Sequence, residues 1–176
     1  MWARVGRRAT VAIFVAVCCA VCAGQEKLSD LQTRFDNEAN GVRKAKFLEK
    51  LGDAEFEEAG RAARAGDFSS VGLLMEKYRD NVRTAYEALE KNNPDGEHHP
   101  NGYKQLEMHV QKALREMDEF MLEAPDAYKP PLQLVRKDLV GLDDKLLRSL
   151  FPKHRSTRPP AAPTTKPAGD SSGAAK

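Results

Sequence analysis

One stretch constrains this chain more than any other: in 68–89, Phe68, Val71, Met75, Tyr78, Val82, Ala85 and Leu89 recur at alternating spacings of three and four. That periodicity predicts an amphipathic helix with a seam built for partner helices. At about 100° per residue the seven, with Leu74 and Tyr86, fall in a sector about 120° wide. Glu76, Lys77, Asp80, Arg83 and Glu87 lie outside it. Ordering each residue costs about 1–2 kcal/mol, comparable to what burial of one apolar side chain returns, so the helix needs neighbours.

The flanking sequence supplies them. In 42–65, Ala45, Leu48, Gly52, Phe56, Ala59 and Ala63 repeat the pattern. Gly52 falls on the seam, where its missing side chain lets a neighbour approach, and the helix is expected to continue through it; the alternative is a break at Gly52-Asp53 with Asp53 as N-cap. Gly66-Asp67 reads as stop and start, so the two helices fold back on each other. Downstream, Asn93-Pro94-Asp95-Gly96 ends one helix and His99-Pro100-Asn101-Gly102 starts another. That helix carries Tyr103, Leu106, Val110, Ala113, Met117, Phe120 and Ala124 on a second ladder, closed by Pro125. Pro130-Pro131 opens a last helix with Leu132, Val135, Leu139, Leu142, Leu146 and Leu150 on one side, and Val140 and Leu147 widening its apolar sector to about 160°. Before the ladders, Leu28, Leu31 and Phe35 mark a short segment, with Ser29 and Gln32 at capping-box spacing and an Asn40-Gly41 turn at its end. The fold class expected is all-α, an up-and-down bundle of four main helices with a short N-terminal helical segment, over 25–152.

Two flanks differ in composition. Arg4, Arg7 and Arg8 precede an uncharged apolar run over 9–24, with Val21-Cys22-Ala23 before a cut, the signature of a secretory signal peptide over 1–24. The run, about 15 residues, is shorter than a membrane-spanning helix needs, so no stable anchor is expected after cleavage. All three cysteines and the single tryptophan lie in this leader, which leaves the mature chain without disulfide, thiolate metal site or thiol nucleophile. At the other end, 153–176 is Pro, Ala, Thr and Ser with scattered Lys and Arg, and reads as a disordered tail.

Charge follows the same division. The whole chain carries 28 Lys and Arg against 26 Asp and Glu. Setting the leader aside, the helical part is acidic and the tail basic, with five cations against Asp170. No basic stripe with interleaved aromatics occurs, so nucleic acid is not an expected partner.

Ala59, Ala63, Gly66, Asp67 and Phe68, with the ladder to Tyr78, resemble one tetratricopeptide hairpin. The likeness covers about 35 residues with no second copy at the 34-residue period, so no solenoid groove is implied. The helical portion 42–150, with its hairpin, polar loop and Pro-initiated last helix, resembles uncharacterised secreted bacterial all-helical proteins. That resemblance implies a fold and an exported location, and no activity.

Candidate chemistry is sparse. His98, His99, His109 and His154 are the four histidines. Glu97-His98-His99 offers borderline divalent-metal ligands, but no Glu precedes any of the four by three residues, as di-iron bundles require. His109 falls about 60° from the centre of its helix's apolar sector, a boundary position beside acidic neighbours; a haem bundle would pair such a His with a seam methionine such as Met75. His98, His99 and His109 are therefore the weak metal candidates, and no cofactor is expected. Glu57-Glu58, Glu116 with Glu119, and Asp143-Asp144 read as solvated helix faces. Tyr78, Tyr86 and Tyr103 are expected at bundle boundaries with wet hydroxyls. Leu73, Met108 and Leu122 stand alone on polar faces and together offer an oligomer contact. No catalytic motif occurs, so no enzyme activity is expected. The expected function is a non-catalytic, exported interaction or structural module that meets another envelope or secreted protein; the alternative is a periplasmic metal- or haem-binding bundle.

Overall fold

The computed structural model describes residues 27–152. The readings of 1–24 as a leader and 153–176 as a tail, and His154, lie outside the described residues. Residues 27–37 are helical (α1). Then follow α2 (Gly41–Arg64), α3 (Phe68–Asn92), α4 (Asn101–Glu123), one 3-10 turn (Asp126–Tyr128) and α5 (Lys129–Leu150). The protein is thus an all-α bundle of four main helices with a short N-terminal one. None of the described helices is long and apolar enough to cross a membrane.

The helix ends follow local chemistry. Between α2 and α3, Gly66 takes φ of +77°, its N–H donates to the Ala63 carbonyl (2.9 Å) and Asp67 N–H donates to that of Ala62 (2.9 Å). This pattern satisfies the last free carbonyls of α2, and it requires the left-handed conformation glycine adopts freely. Asp67 then caps α3, accepting from Ser70 N–H and from the Ser70 hydroxyl, which holds its carboxyl below the usual range. Pro130 and Pro131 occupy the first turn of α5, where no helical amide partner is lost. Two expectations change. Ser29 forms no capping box, because residue 27 is already helical; its carbonyl accepts from the Thr33 hydroxyl while Gln32 reaches across to Asn81. Asn40 does not end α1, which stops at residue 37; its side chain accepts from Arg43 N–H and starts α2.

The bundle is two antiparallel hairpins side by side. α2 lies beside α3 and α4, α5 lies beside the same two, and α2 and α5 do not approach each other. Directions alternate along the chain, so the helices that meet between hairpins run parallel. Asp53 of α2 meets Lys112 of α4 and Phe56 meets Phe120; Phe68 of α3 meets Tyr128 just before α5, and Arg79 meets Asp138. The remaining contact, α3 with α4, crosses the middle of the bundle through Tyr78 with His109 and Tyr86 with Tyr103. The loop over 93–100 therefore spans the diagonal, and the Tyr103 hydroxyl ties it down by donating to the Asn93 carbonyl at 2.9 Å.

The seam residues of all four main helices form the core. Two apolar expectations fail at its edge. Val140 and Leu147 are 37 % and 36 % exposed, because among the described residues α5 has helical neighbours on two sides only. The tyrosines correct in the opposite direction. Tyr78 and Tyr103 are fully buried and Tyr86 nearly so, each hydroxyl bonded within the protein: to His109, to Asn93 and to Glu90.

Helix α2 continues unbroken through Gly52. A Cβ there would stand 2.4 Å from His109 Cε1 and 2.8 Å from Tyr78 Cε2, two buried rings with nowhere to retreat. Gly52→Ala should therefore lower stability by about 1–3 kcal/mol in urea unfolding, the cost of overpacking. A gain near the roughly 1 kcal/mol helix-propensity difference would contradict the close approach.

Candidate functional site

The three histidines weighed from sequence separate into two places. His98 and His99 lie exposed in the loop after α3. His98 closes the turn that leads into α4: its backbone N–H donates to Asp95 Oδ1 at 3.1 Å and its Nδ1 sits 2.7 Å from Asp95 Oδ2. These bonds, the backbone one foremost, hold the Asp95 carboxyl below the usual range. His109 lies apart in α4. Among the described residues no group of three or more His, Asp or Glu is placed to hold a metal ion. Met75, the thioether considered beside His109, is fully buried in the core.

His109 departs from its boundary expectation: it is 7 % exposed. Its ring turns toward α2 into the space that Gly52 leaves, so the depth of this position comes from the facing helix. Nδ1 is 2.8 Å from the Tyr78 hydroxyl, which reaches across the bundle from α3. Tyr78 is itself held edge-on by Phe56, ring centres 5.0 Å apart. Burial pushes its phenol well above the ordinary value, reinforced by the carboxylates of Glu55, Glu116 and Asp53, so it stays protonated. That hydroxyl has His109 as its hydrogen-bond partner, and a buried O–H left without an acceptor is costly. Tyr78 therefore donates to Nδ1, and the neutral imidazole carries its proton on Nε2. Burial, only partly opposed by Asp53, holds the His109 pKa below its usual value, consistent with a neutral ring.

Nε2 is buried and faces Asp53 Oδ1 at 3.5 Å, longer than a well-formed hydrogen bond. Asp53 Oδ1 instead accepts from Lys112 Nζ at 2.7 Å, and that bond raises the lysine pKa. Glu116, 3.7 Å from the same ammonium, has its pKa raised mainly by burial. These groups border a cleft between α2 and α4 of about 320 Å³, lined by Glu49, Asp53, Gln105, Met108, His109 and Lys112. Gln105 Oε1 is buried there without a hydrogen-bond partner. Met108 forms an exposed apolar part of the rim.

A second polar group, not singled out from sequence, sits between α1, α2 and α3. Glu55 is fully buried. Its Oε1 accepts from Asn81 Nδ2 at 3.0 Å, and Asn81 exchanges two amide bonds with Gln32 of α1 (3.1 and 3.2 Å). Oε2 has no partner. Burial pushes the Glu55 carboxyl up to about 8, against the smaller opposing pull of Lys77 and Asn81. Lys44 covers Phe35 nearby, its ammonium 4.8 Å from the ring centre, which also holds α1. The signal for Glu55 was its spacing, three after Gly52 and four before Ala59, hidden in the acidic run 53–58.

Of the carboxylate pairs, Glu57 and Glu58 are engaged by Arg61 on the surface as expected. Asp143 is buried, accepting from Gln111 Nε2 at 2.6 Å across the α4–α5 boundary, with its pKa raised by burial. Gln111 draws in a residue that its own helix pattern placed in water. Leu73, Met108 and Leu122 are exposed, as their off-seam positions imply. No family model matches the chain, and no curated protein and no solved structure matches it either.

The Glu55 geometry has a thermodynamic sign. The folded chain holds this proton up to about pH 8 while the unfolded carboxyl releases it near 4.5, so the stability associated with it is full below about 4.5 and is lost as pH rises toward 8. The full penalty is on the order of 5 kcal/mol. Glu55→Gln should unfold at a similar urea concentration to the parent at pH 5 and at a clearly higher one at pH 8. Parallel pH profiles for the two proteins would overturn the assignment.

Proposed function

We propose that this chain is an exported, non-catalytic helical bundle of the cell envelope that works by binding another protein, with the α2–α4 cleft as its recognition element. The carrying observation is the cleft itself, about 320 Å³ between α2 and α4, walled by a buried His109 that Tyr78 locks in place and by the Asp53–Lys112 ion pair. A concave surface with rigid walls and a few fixed polar groups is suited to meeting something from outside. Met108, exposed at 60 %, gives the rim an apolar contact beside the polar floor. Catalysis has less support. Tyr78 is buried and already donates its proton, and Lys112 is tied to Asp53, so the cleft presents no activated nucleophile. Export rests on the arginines and apolar run of 1–24.

A photo-crosslinking residue placed at 108 in the full chain, in its own host, tests the reading, with position 137 on α5 as the control. Position 108 should give one discrete adduct with a second envelope protein, and 137 should not. The same adducts from both positions, no adduct from 108, or a chain retained in the cytoplasm with its leader intact would overturn it.

A further inference from the structure

The two hairpins differ in what lies on their outer sides. Helix α1 fills the outer groove of the first: Phe35 is buried there beside Lys44 of α2, and Gln32 bonds Asn81 of α3. The matching groove of the second hairpin, outside α4 and α5, has no helix across it among the described residues. Leu114 and Met121 form its partly buried floor, and Val140 and Leu147 stand exposed above it. Leu122, 84 % exposed, marks one end. Of the three lone apolar residues on polar faces it is the one on this groove, since Met108 borders the cleft and Leu73 stands on α3.

The antiparallel alignment of α4 and α5 is fixed by Gln111 with Asp143 and by Asp118 with Arg136. One turn further along, Leu122 therefore stands at the height of Leu132, and at the other end Glu107 stands at that of Leu147. Charge divides along the same line. Glu107 and Asp144 lie close enough to Asp143 to add to what burial does to its carboxyl, and neither is in a salt bridge among the described residues. Arg136 lies toward the Leu122 end.

This face is its own complement. Val140 is midway between Arg136 and Asp144 along α5, and midway in height between Leu122 and Leu147. A two-fold axis crossing the helices at Val140 therefore meets three conditions at once. It sets Val140 against its own copy, Asp144 of each chain opposite Arg136 of the other, and Leu122 of each toward Leu147 of the other. An axis along the helices would instead bring the two acidic ends together. We propose that this chain forms a two-fold dimer through the outer face of α4 and α5, centred on Val140. The face is about 30 Å long and about 20 Å wide, so the pair buries on the order of 1,200 Å², the lower limit of specific interfaces. It lies on the other side of α4 from the cleft, and the two surfaces are independent.

Sedimentation velocity of the full chain across the micromolar range tests this, and the charge pattern supplies the control. The parent should pass from monomer to dimer with a dissociation constant on the order of 10 µM. Asp144→Arg sets an arginine against Arg136, and Arg136→Glu sets a glutamate against Asp144. Each variant alone should dimerise at least about tenfold more weakly. An equimolar mixture of the two should associate as the parent does, because each chain then meets the opposite charge at both pairs. Leu122→Asp, at a position too exposed to affect folding, should weaken the dimer by a similar factor, and it carries the test if the Arg136 variant loses helical dichroism. A chain that stays monomeric throughout, a species larger than a dimer, association unchanged in the variants, or a mixture no stronger than its parts would overturn the proposal. The crosslink from position 108 does not depend on this face, so the two readings fail separately.

Discussion

The hydrogen bond between Tyr78 and His109 is the constraint on which the rest of this bundle depends. It joins α3 to α4 across the middle of the molecule, and it places two polar groups where only apolar side chains pack at low cost. Such a pair is tolerated because each satisfies the other. Removing either partner leaves a buried polar group at a cost of about 1–3 kcal/mol, so the contact specifies one register between the hairpins more strongly than it adds net stability. Gly52 is its necessary complement, since α2 can pass over the two rings only without a side chain. Once the ring is held in this way, its other nitrogen is left facing Asp53 across the α2–α4 boundary.

The remainder of the architecture follows from having two hairpins and no contact between α2 and α5. Parallel neighbours cannot be joined by short loops, so the chain makes each antiparallel pair locally and crosses the diagonal once, over 93–100. The ion pairs at the boundaries, Arg79 with Asp138 and Arg136 with Asp118, are partly exposed and add little beyond alignment. The polar chain Gln32–Asn81–Glu55 does more, because it fastens α1 to the bundle through a buried carboxyl that tolerates its site while protonated.

Which features were legible in the sequence follows from what a single helix can reveal. Ladders at three and four announced the four main helices and nearly all of their buried apolar residues, since burial of those residues depends only on their own side of the helix. Gly66-Asp67, Pro125 and Pro130 marked breaks because their chemistry is local. Gly52 could be read too, because a glycine on the seam of a helix has one evident use, to let a neighbour approach. His109, Glu55 and Asp143 could not, for a common reason. A wheel measures the angle from a helix's own apolar axis, whereas the depth of a polar side chain is decided by what faces it: Gly52 and Tyr78 for the histidine, Asn81 for the glutamate, Gln111 for the aspartate. The tyrosines were misplaced in the same way, their hydroxyls finding partners on residues distant in sequence or one turn away. Val140 and Leu147 show the converse, apolar residues left wet because none of the described helices covers that flank.

The central claim is that Tyr78 holds His109 as a single neutral tautomer with its proton on Nε2. Imidazole ¹⁵N chemical shifts of the full chain, followed through a pH titration, test it directly. The account expects one protonated Nε2 and one accepting Nδ1 at neutral pH, with protonation of the ring only below the ordinary histidine range. A mixture of tautomers, or a ring that titrates as a solvent-exposed histidine does, would contradict it.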